Sequence, residues 1–209
     1  MTVEGFAKRE DWDRFNSSLL LEVTRTTGVF TCTGVAISKE LIVTAAHCLA
    51  GDVKKVRVFT QEKYDPKQSS LEVGSYKIHP NYNPSVSNYR NDIAKIQMKN
   101  KLPEFVKIYP IFEGKVVTGN IYRFGFGARK EKNLRTVITP TFRQMNLAEE
   151  VVELNDKFSK SGDSGGPIYL ENGSSLSILA IHSTFSHGPN GSYSFNPLLS
   201  AYLPWLYQN

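Results

Sequence analysis

The sequence predicts an all-β protein, built as sandwiches or barrels in two halves and closed by one C-terminal helix. Three observations lead there. Short runs rich in Val, Ile, Thr, Phe and Tyr recur about every ten residues and are broken by Gly, Asn and Pro. A polar segment punctuated by Pro103 and Pro110 divides the chain. Residues 198–209 alone carry a clear run of apolar side chains at helical spacing.

In chain order, the strand-like runs of the first half are "LLLEVTR" (19–25), "GVFTCTGVAIS" (28–38), "LIVTAA" (41–46), "KKVRVFT" (54–60), "SYKIHP" (75–80) and "IAKIQM" (93–98). The second half supplies "IYRFGFG" (121–127), "RTVITPTF" (135–142), "GPIYL" (166–170) and "LSILAIH" (176–182). "MKNKLPEFVKIYP" (98–110) lies between them and sets a boundary near residue 104, giving halves 1–104 and 105–209. In "LLSAYLPWLYQN", Leu199, Tyr202, Leu203 and Leu206 share one helical face, and Pro204 leaves the helix's span open.

Composition narrows the function. The 209 residues are 40% hydrophobic, enough for one large core or two modest ones. The 25 Lys and Arg outnumber the 20 Asp and Glu by five, but they are scattered rather than gathered on one face. That charge steers acidic partners weakly and is no nucleic-acid footprint. No stretch approaches the ~20 apolar residues of a membrane helix. "MTVEGFAKRE" lacks the apolar core of a signal peptide, so an exported protein would correspond to a trimmed form, with Met1 as an expression start. Sequons stand at Asn16, Asn172 and Asn190. The two cysteines, Cys32 and Cys48, read either as buried thiols or as an export-compartment disulfide.

Three motifs carry chemistry. In "VTAAHC" (43–48), an apolar strand runs through two alanines to His47, and such small residues permit close backbone packing. In "NDIAKI" (91–96), Asp92 heads a strand; this is a common turn former, but also a carboxylate able to fix a histidine's tautomer. In "SGDSGGPIYL" (161–170), Ser164 sits between Asp163 and two glycines. The backbone there bends easily, pointing the hydroxyl outward while the amides of Gly162 and Ser164 converge on one oxygen.

"TAAHC", "NDIA" and "GDSGGP", in the order His, Asp, Ser, resemble the chymotrypsin-like serine peptidases, with lesser echoes in "CTGVAIS", "HPNYN", "GFG" and "YLPWL". The resemblance runs over nearly the whole chain. It implies two six-stranded antiparallel β-barrels with the site in the cleft between them, plus the C-terminal helix. It also implies His47 as general base and acid, Asp92 as its orienting partner, Ser164 as nucleophile, and Gly162 and Ser164 as the oxyanion hole. Cys32 and Cys48 match the disulfide beside the family's histidine. Lys160 stands where a cysteine often precedes the active-site loop, so stability must rest more on core packing.

The resemblance further implies a secreted or periplasmic monomer, acting on peptide or protein substrates without cofactor or metal. A zinc enzyme fits poorly, since the four histidines show no H-x-x-x-H spacing. "TVEGF" resembles the family's mature start, which implies that a freed Thr2 amino group pairs with Asp163 and that a chain retaining Met1 is precursor-like. The contrasting class is a catalytically silent homologue that uses the fold as a binding module; its usual mark is a lost triad member, and all three are present in this chain.

Specificity is read from the pocket positions. Phe158 occupies the place of the carboxylate that pairs with substrate Lys or Arg in trypsin-like members, which argues against that preference. His182, before Ser183 in "AIHSTF", together with Ser161 resembles the bacterial glutamyl endopeptidase branch. Ser159, Ser161 and Tyr193 would then add donors for a substrate Glu carboxylate. Two alternatives stay open. His182 reads equally as a core histidine with satisfied ring nitrogens, and Phe185, standing where the family has glycine, would crowd the pocket toward small or aromatic side chains. His79 and His187 read as structural and loop residues.

Overall fold

The computed structural model describes residues 3–6, 9–61, 65, 67–85, 90–115, 117–127, 136–189 and 191–208. After a short strand β1 (Val3–Phe6) and helix α1 (Arg9–Arg14), the first half forms six antiparallel strands. These are β2 (Ser18–Arg25), β3 (Gly28–Ala36), β4 (Leu41–Thr44), β5 (Val53–Phe59), β6 (Val73–Ile78) and β7 (Ala94–Met98). Helix α2 (Ala46–Leu49) sits between β4 and β5. The strand order is β5-β2-β3-β4-β7-β6. The two edge strands meet where Leu71 N–H donates to Val58 O at 2.9 Å, closing the sheet into a barrel.

The second half contains β8 (Asn120–Gly125), β9 (Thr136–Thr139), β10 (Thr141–Asn146), β11 (Val151–Asn155), β12 (Pro167–Asn172), β13 (Ser175–Ile181), β14 (Thr184–Gly188) and β15 (Gly191–Pro197). They pair in two sheets, β1-β9-β8-β12-β13 and β10-β11-β15-β14. Pro140, which has no N–H for the ladder, separates β9 from β10, so this stretch acts as one bent strand passing between the sheets. A bridge from Ala180 to Leu198 ties the opposite side. Six strands thus ring the second core, counting β9 and β10 as one, with β1 and β14 added at edges. The all-β, two-barrel architecture expected from the sequence is the one observed.

Period-two patterning explains the first core: Leu19, Leu21 and Val23 of β2 face inward with Ile42, Val58 and Ile96. The unbroken "LLL" has its own reason, because Leu20 on the other face packs with Phe59 and Phe126. Ile121, Val152, Leu154, Ile168, Leu170 and Leu179 fill the second core. A third cluster joins the barrels, setting Phe15, Val35, Val43 and Ile93 against Phe124, Tyr169, Ile181 and Leu199. Each such side chain contributes about 1.5–3 kcal/mol on burial, so this shared core fixes the relative position of the barrels that frame the site. Along the connecting segment, Leu102, Val106 and Ile108 pack on the first core and Tyr109 and Ile111 on the shared one, so the packing changes hands between residues 108 and 109.

The terminal helix is shorter than the apolar spacing suggests. A 3-10 turn (Leu199–Tyr202) leads into α3 (Leu203–Leu206), with Pro204 in the first turn, where a missing N–H is harmless. Leu199, Tyr202 and Leu206 are buried. Lys95 of β7 caps the helix end, its Nζ donating to the carbonyls of Trp205 (2.9 Å), Leu206 (3.2 Å) and Gln208 (2.5 Å). Among the described residues no helix is long and apolar enough to cross a membrane.

Candidate active site

Strand β4 runs straight into α2, so His47 stands at the rim of the first barrel. The buried flanks Ala45 and Ala46 let the turn pack closely. Asp92 lies in the turn before β7, next to Asn91, whose φ of 57° bends the chain. Tyr202, preceding α3, accepts a hydrogen bond from Asn91 N–H at 3.1 Å, so the C-terminal segment supports this turn.

The structure brings the two side chains together. His47 Nδ1 lies 2.7 Å from Asp92 Oδ2, and His47 N–H donates to Asp92 Oδ1 at 2.8 Å. Ser183 Oγ donates to Asp92 Oδ2 at 2.5 Å. Burial pushes the Asp92 carboxyl up, but the hydrogen bond and charge of His47, joined by Ser183, outweigh it and hold the group below its usual range. An ionised Asp92 accepts from Nδ1–H and leaves Nε2 bare as a proton acceptor. Asp92 is buried, whereas the His47 side chain is 38% exposed.

The serine loop is wedged against that same turn. Ser164 O accepts from Thr33 N–H at 2.8 Å. Gly165, with φ +79°, comes so close to Thr44 Oγ1, Thr33 O and Ala45 N that no side chain fits, which explains the glycine after the serine. Gly165 N–H donates to His182 O, and His182 N–H donates to Gly166 O, both at 2.7 Å. Thr33 Oγ1 adds a bond to Gly162 O at 2.8 Å. Among the described residues, the amides of Gly162 and Ser164 donate to no protein acceptor, so both are available to a bound oxygen. Cys32 and Cys48 form a disulfide that ties the histidine turn to β3, the strand whose Thr33 holds the serine loop.

Beneath the loop lies a charged cluster that the sequence motifs do not announce. Arg123, Asp156 and Asp163 are fully buried. Arg123 Nε donates to Asp156 Oδ2 at 2.7 Å, and Nη1 lies 3.0 Å from Asp163 Oδ2, an ion-pair distance with its N–H poorly aligned. Ser159 Oγ donates to Asp156 Oδ2 at 3.0 Å and Phe158 N–H to Asp156 Oδ1 at 3.1 Å. Burial drives the Asp156 carboxyl up, yet the charge of Arg123 and the bonds from Arg123 and Phe158 keep it low. The sequence hint was an arginine between Tyr122 and Phe124 in an apolar strand.

The pocket residues divide. His182 is 1% exposed, with Nδ1 placed 3.1 Å from Asn196 Oδ1. Burial, aided by the Arg123 charge, lowers its pKa to about 4 against the opposing pull of Asp156 and Asp163. This is the environment expected of the core-histidine alternative: the ring is neutral near pH 7 and its Nδ1 is turned to Asn196. Ser159 is likewise spent on Asp156. Ser161 and Phe185 are exposed, and Phe185 stacks edge-on with His187 at 5.1 Å. Tyr193 lies under the Arg143 guanidinium at 4.1 Å. Thr2 falls outside the described residues, and the cation the structure describes at Asp163 is Arg123. His79 packs edge-on against Tyr202 and Trp205.

The chain is 27% identical to phenoloxidase-activating factor 3 of Holotrichia diomphalia over 91% of its length and 67% of that protein's. It is 26% identical to chymotrypsin of Phaedon cochleariae, covering 85% of this chain and 71% of the relative. With mouse cathepsin G it shares 24% identity over 86% and 74% of the two chains. These relatives are insect and mammalian, not members of the bacterial glutamyl endopeptidase branch whose resemblance the pocket residues suggested. A family model described as Trypsin matches residues 13–206, and the chain belongs to that family of chymotrypsin-like serine peptidases.

Proposed function

We propose that this protein is a serine endopeptidase in which Ser164 is the nucleophile, His47 the general base and then acid, and Asp92 its orienting partner. The observation that carries the reading is the 2.7 Å contact between His47 Nδ1 and buried Asp92 Oδ2, beside a serine loop wedged onto the same turn. Nε2 takes the proton of Ser164 Oγ as the oxygen attacks the peptide carbonyl. The amides of Gly162 and Ser164 receive the resulting oxyanion. Nε2 then gives the proton to the departing amine, and water repeats the sequence on the acyl-enzyme. The halves 1–104 and 105–209 are read as the two lobes of the cleft, and the disulfide supports a secreted protein.

For the residue before the cut, the reading we favour is the uncharged one, small or aromatic. With His182 neutral, Arg123, Asp156 and Asp163 leave one net negative charge beneath the loop, which disfavours a substrate carboxylate. Both oxygens of Asp156 are occupied, by Arg123, Ser159 and the Phe158 N–H, so this carboxylate is not turned toward a substrate Lys or Arg. The test is cleavage of matched peptides with Glu, Ala, Phe or Arg before the scissile bond, by wild type and His182→Ala. Ala or Phe peptides should be cut best, and the substitution should lower all rates by a similar factor. Preferred Glu cleavage, lost selectively in His182→Ala, would restore the acidic reading. A folded protein that cuts none of them would point to the silent binding module.

A further inference from the structure

We infer that Asn172, at the tip of the β12–β13 hairpin, is an acceptor for N-linked glycan, and that the sequon at Asn16 stays bare in the folded protein. The inference rests on the secretory part of the reading above and is independent of the triad.

The sequons have unlike surroundings. Asn172 ends β12 and pairs with Ser175 at the start of β13, leaving Gly173 and Ser174 as a two-residue turn. Gly173 takes the positive φ, +60°, that such tight hairpin turns require at their first central position, and a Cβ built on it meets nothing within 4 Å. Residues 172–175 are all exposed. Strand alternation puts Asn172 on the face of Leu170, one step beyond the end of the second core, where its Nδ2 donates to the exposed Thr118 Oγ1 at 3.2 Å. The acceptor amide and the hydroxyl two residues on, the two groups a sequon supplies, therefore both stand in solvent. The tip lies about 17 Å along β12 from Pro167, at the end of the strand away from the serine loop.

Asn16 is the opposite case. It is 5% exposed, and Ser17 and Ser18 are fully buried. Its carboxamide joins the segment ahead of β2 to the one that links the barrels: Nδ2 donates to Phe105 O, and Oδ1 accepts from Lys107 N–H at 3.0 Å. The hydroxyl that completes this sequon belongs to Ser18, already inside β2. A bulky, hydrated sugar needs a path to solvent, so a chain glycosylated at Asn16 before folding cannot close these contacts. Asn190 lies outside the described residues.

The reaction joins Nδ2 of Asn172 to the anomeric carbon of an oligosaccharide carried on a lipid pyrophosphate. The amide nitrogen loses a proton to base and gives an electron pair to the new C–N bond. The C–O bond to the pyrophosphate breaks, and its pair leaves with the phosphate oxygen. One N–H stays on Nδ2, enough to keep the bond to Thr118.

The test expresses the chain behind a cleavable secretory leader in insect cells, in an Asn190→Gln background so that the glycan count reports on Asn16 and Asn172. Secreted protein is mapped by mass spectrometry before and after amidase release of N-glycans in heavy-oxygen water, which marks each former acceptor as a labelled Asp. A single glycan should be found, marked at position 172. It should vanish in Asn172→Gln and, with the acceptor left intact, in Ser174→Ala, whereas Ser174→Thr should keep it. Asn16→Gln should leave the count unchanged. Secreted chain that is bare at Asn172 would overturn the inference, as would a glycan at Asn16. Alkylation of the same samples counts free thiols, so a bare Asn172 beside an intact Cys32–Cys48 bond would refute the acceptor and leave the secretory reading standing.

Discussion

Ser183 Oγ and His47 Nδ1 converge on the same oxygen, Oδ2 of Asp92, at 2.5 and 2.7 Å. The serine comes from the second barrel and the histidine from the first, so Asp92 is held from both lobes. Removing Ser183 takes away one of the bonds that keep Asp92 ionised and aligned. Ser183→Ala should therefore lower kcat/KM about tenfold, in line with the 1.5–3 kcal/mol of a hydrogen bond to a charged group. It should also raise the Asp92 pKa, so that stability conferred by the ionised carboxylate is lost at a higher pH on acidification than in wild type. Unchanged kinetics and an unchanged acid limb would count against this support.

Gly165 offers a contrast with Gly188. An added Cβ at Gly165 would strike Thr44 and backbone atoms of Thr33 and Ala45 at a φ that L-residues rarely adopt, whereas at Gly188 it would meet nothing within 4 Å. Gly165→Ala should cost at least about 2 kcal/mol in denaturant unfolding and abolish Ser164 labelling. Gly188→Ala should stay within about 0.5 kcal/mol of wild type. Equal behaviour of the two variants would mean the serine loop is not wedged against the histidine turn.

His182 makes a pH prediction. Its ring takes a proton near pH 6.5 when unfolded and only near pH 4 when folded. The unfolded state binds more protons in that window, so stability falls as pH drops from 6.5 to 4, by on the order of 3 kcal/mol. Above pH 6.5 the ring is neutral in both states and contributes no slope. His182→Gln should flatten the urea midpoint across this window, and a slope identical to wild type would contradict the burial argument.

The sequence makes the local signals legible and hides the distant pairings. Alternating apolar runs give away most strands, and the glycines of "GDSGGP" announce a tightly packed turn. Strand β11 goes unread because its identity rests on pairing with β10 and β15 rather than on flanking turns. Helix α1 is unmarked for a related reason, since "REDWDR" is mostly charged and shows no apolar stripe. Arg123 reads as an ordinary polar strand residue, and its meaning emerges only when folding sets it against Asp156, 33 positions away, and Asp163 beyond it. His182 is the opposite case: its neighbours in sequence suggest a ligand-binding ring, and its contact with Asn196, a residue of β15, is visible only in the fold.

The nucleophile itself is open to direct measurement. Folded protein treated with a fluorophosphonate probe should gain one adduct, mapped by mass spectrometry to Ser164, and Ser164→Ala and His47→Ala should gain none. An adduct on another serine, an adduct that persists in Ser164→Ala, or a folded wild-type chain that stays unlabelled would contradict the account.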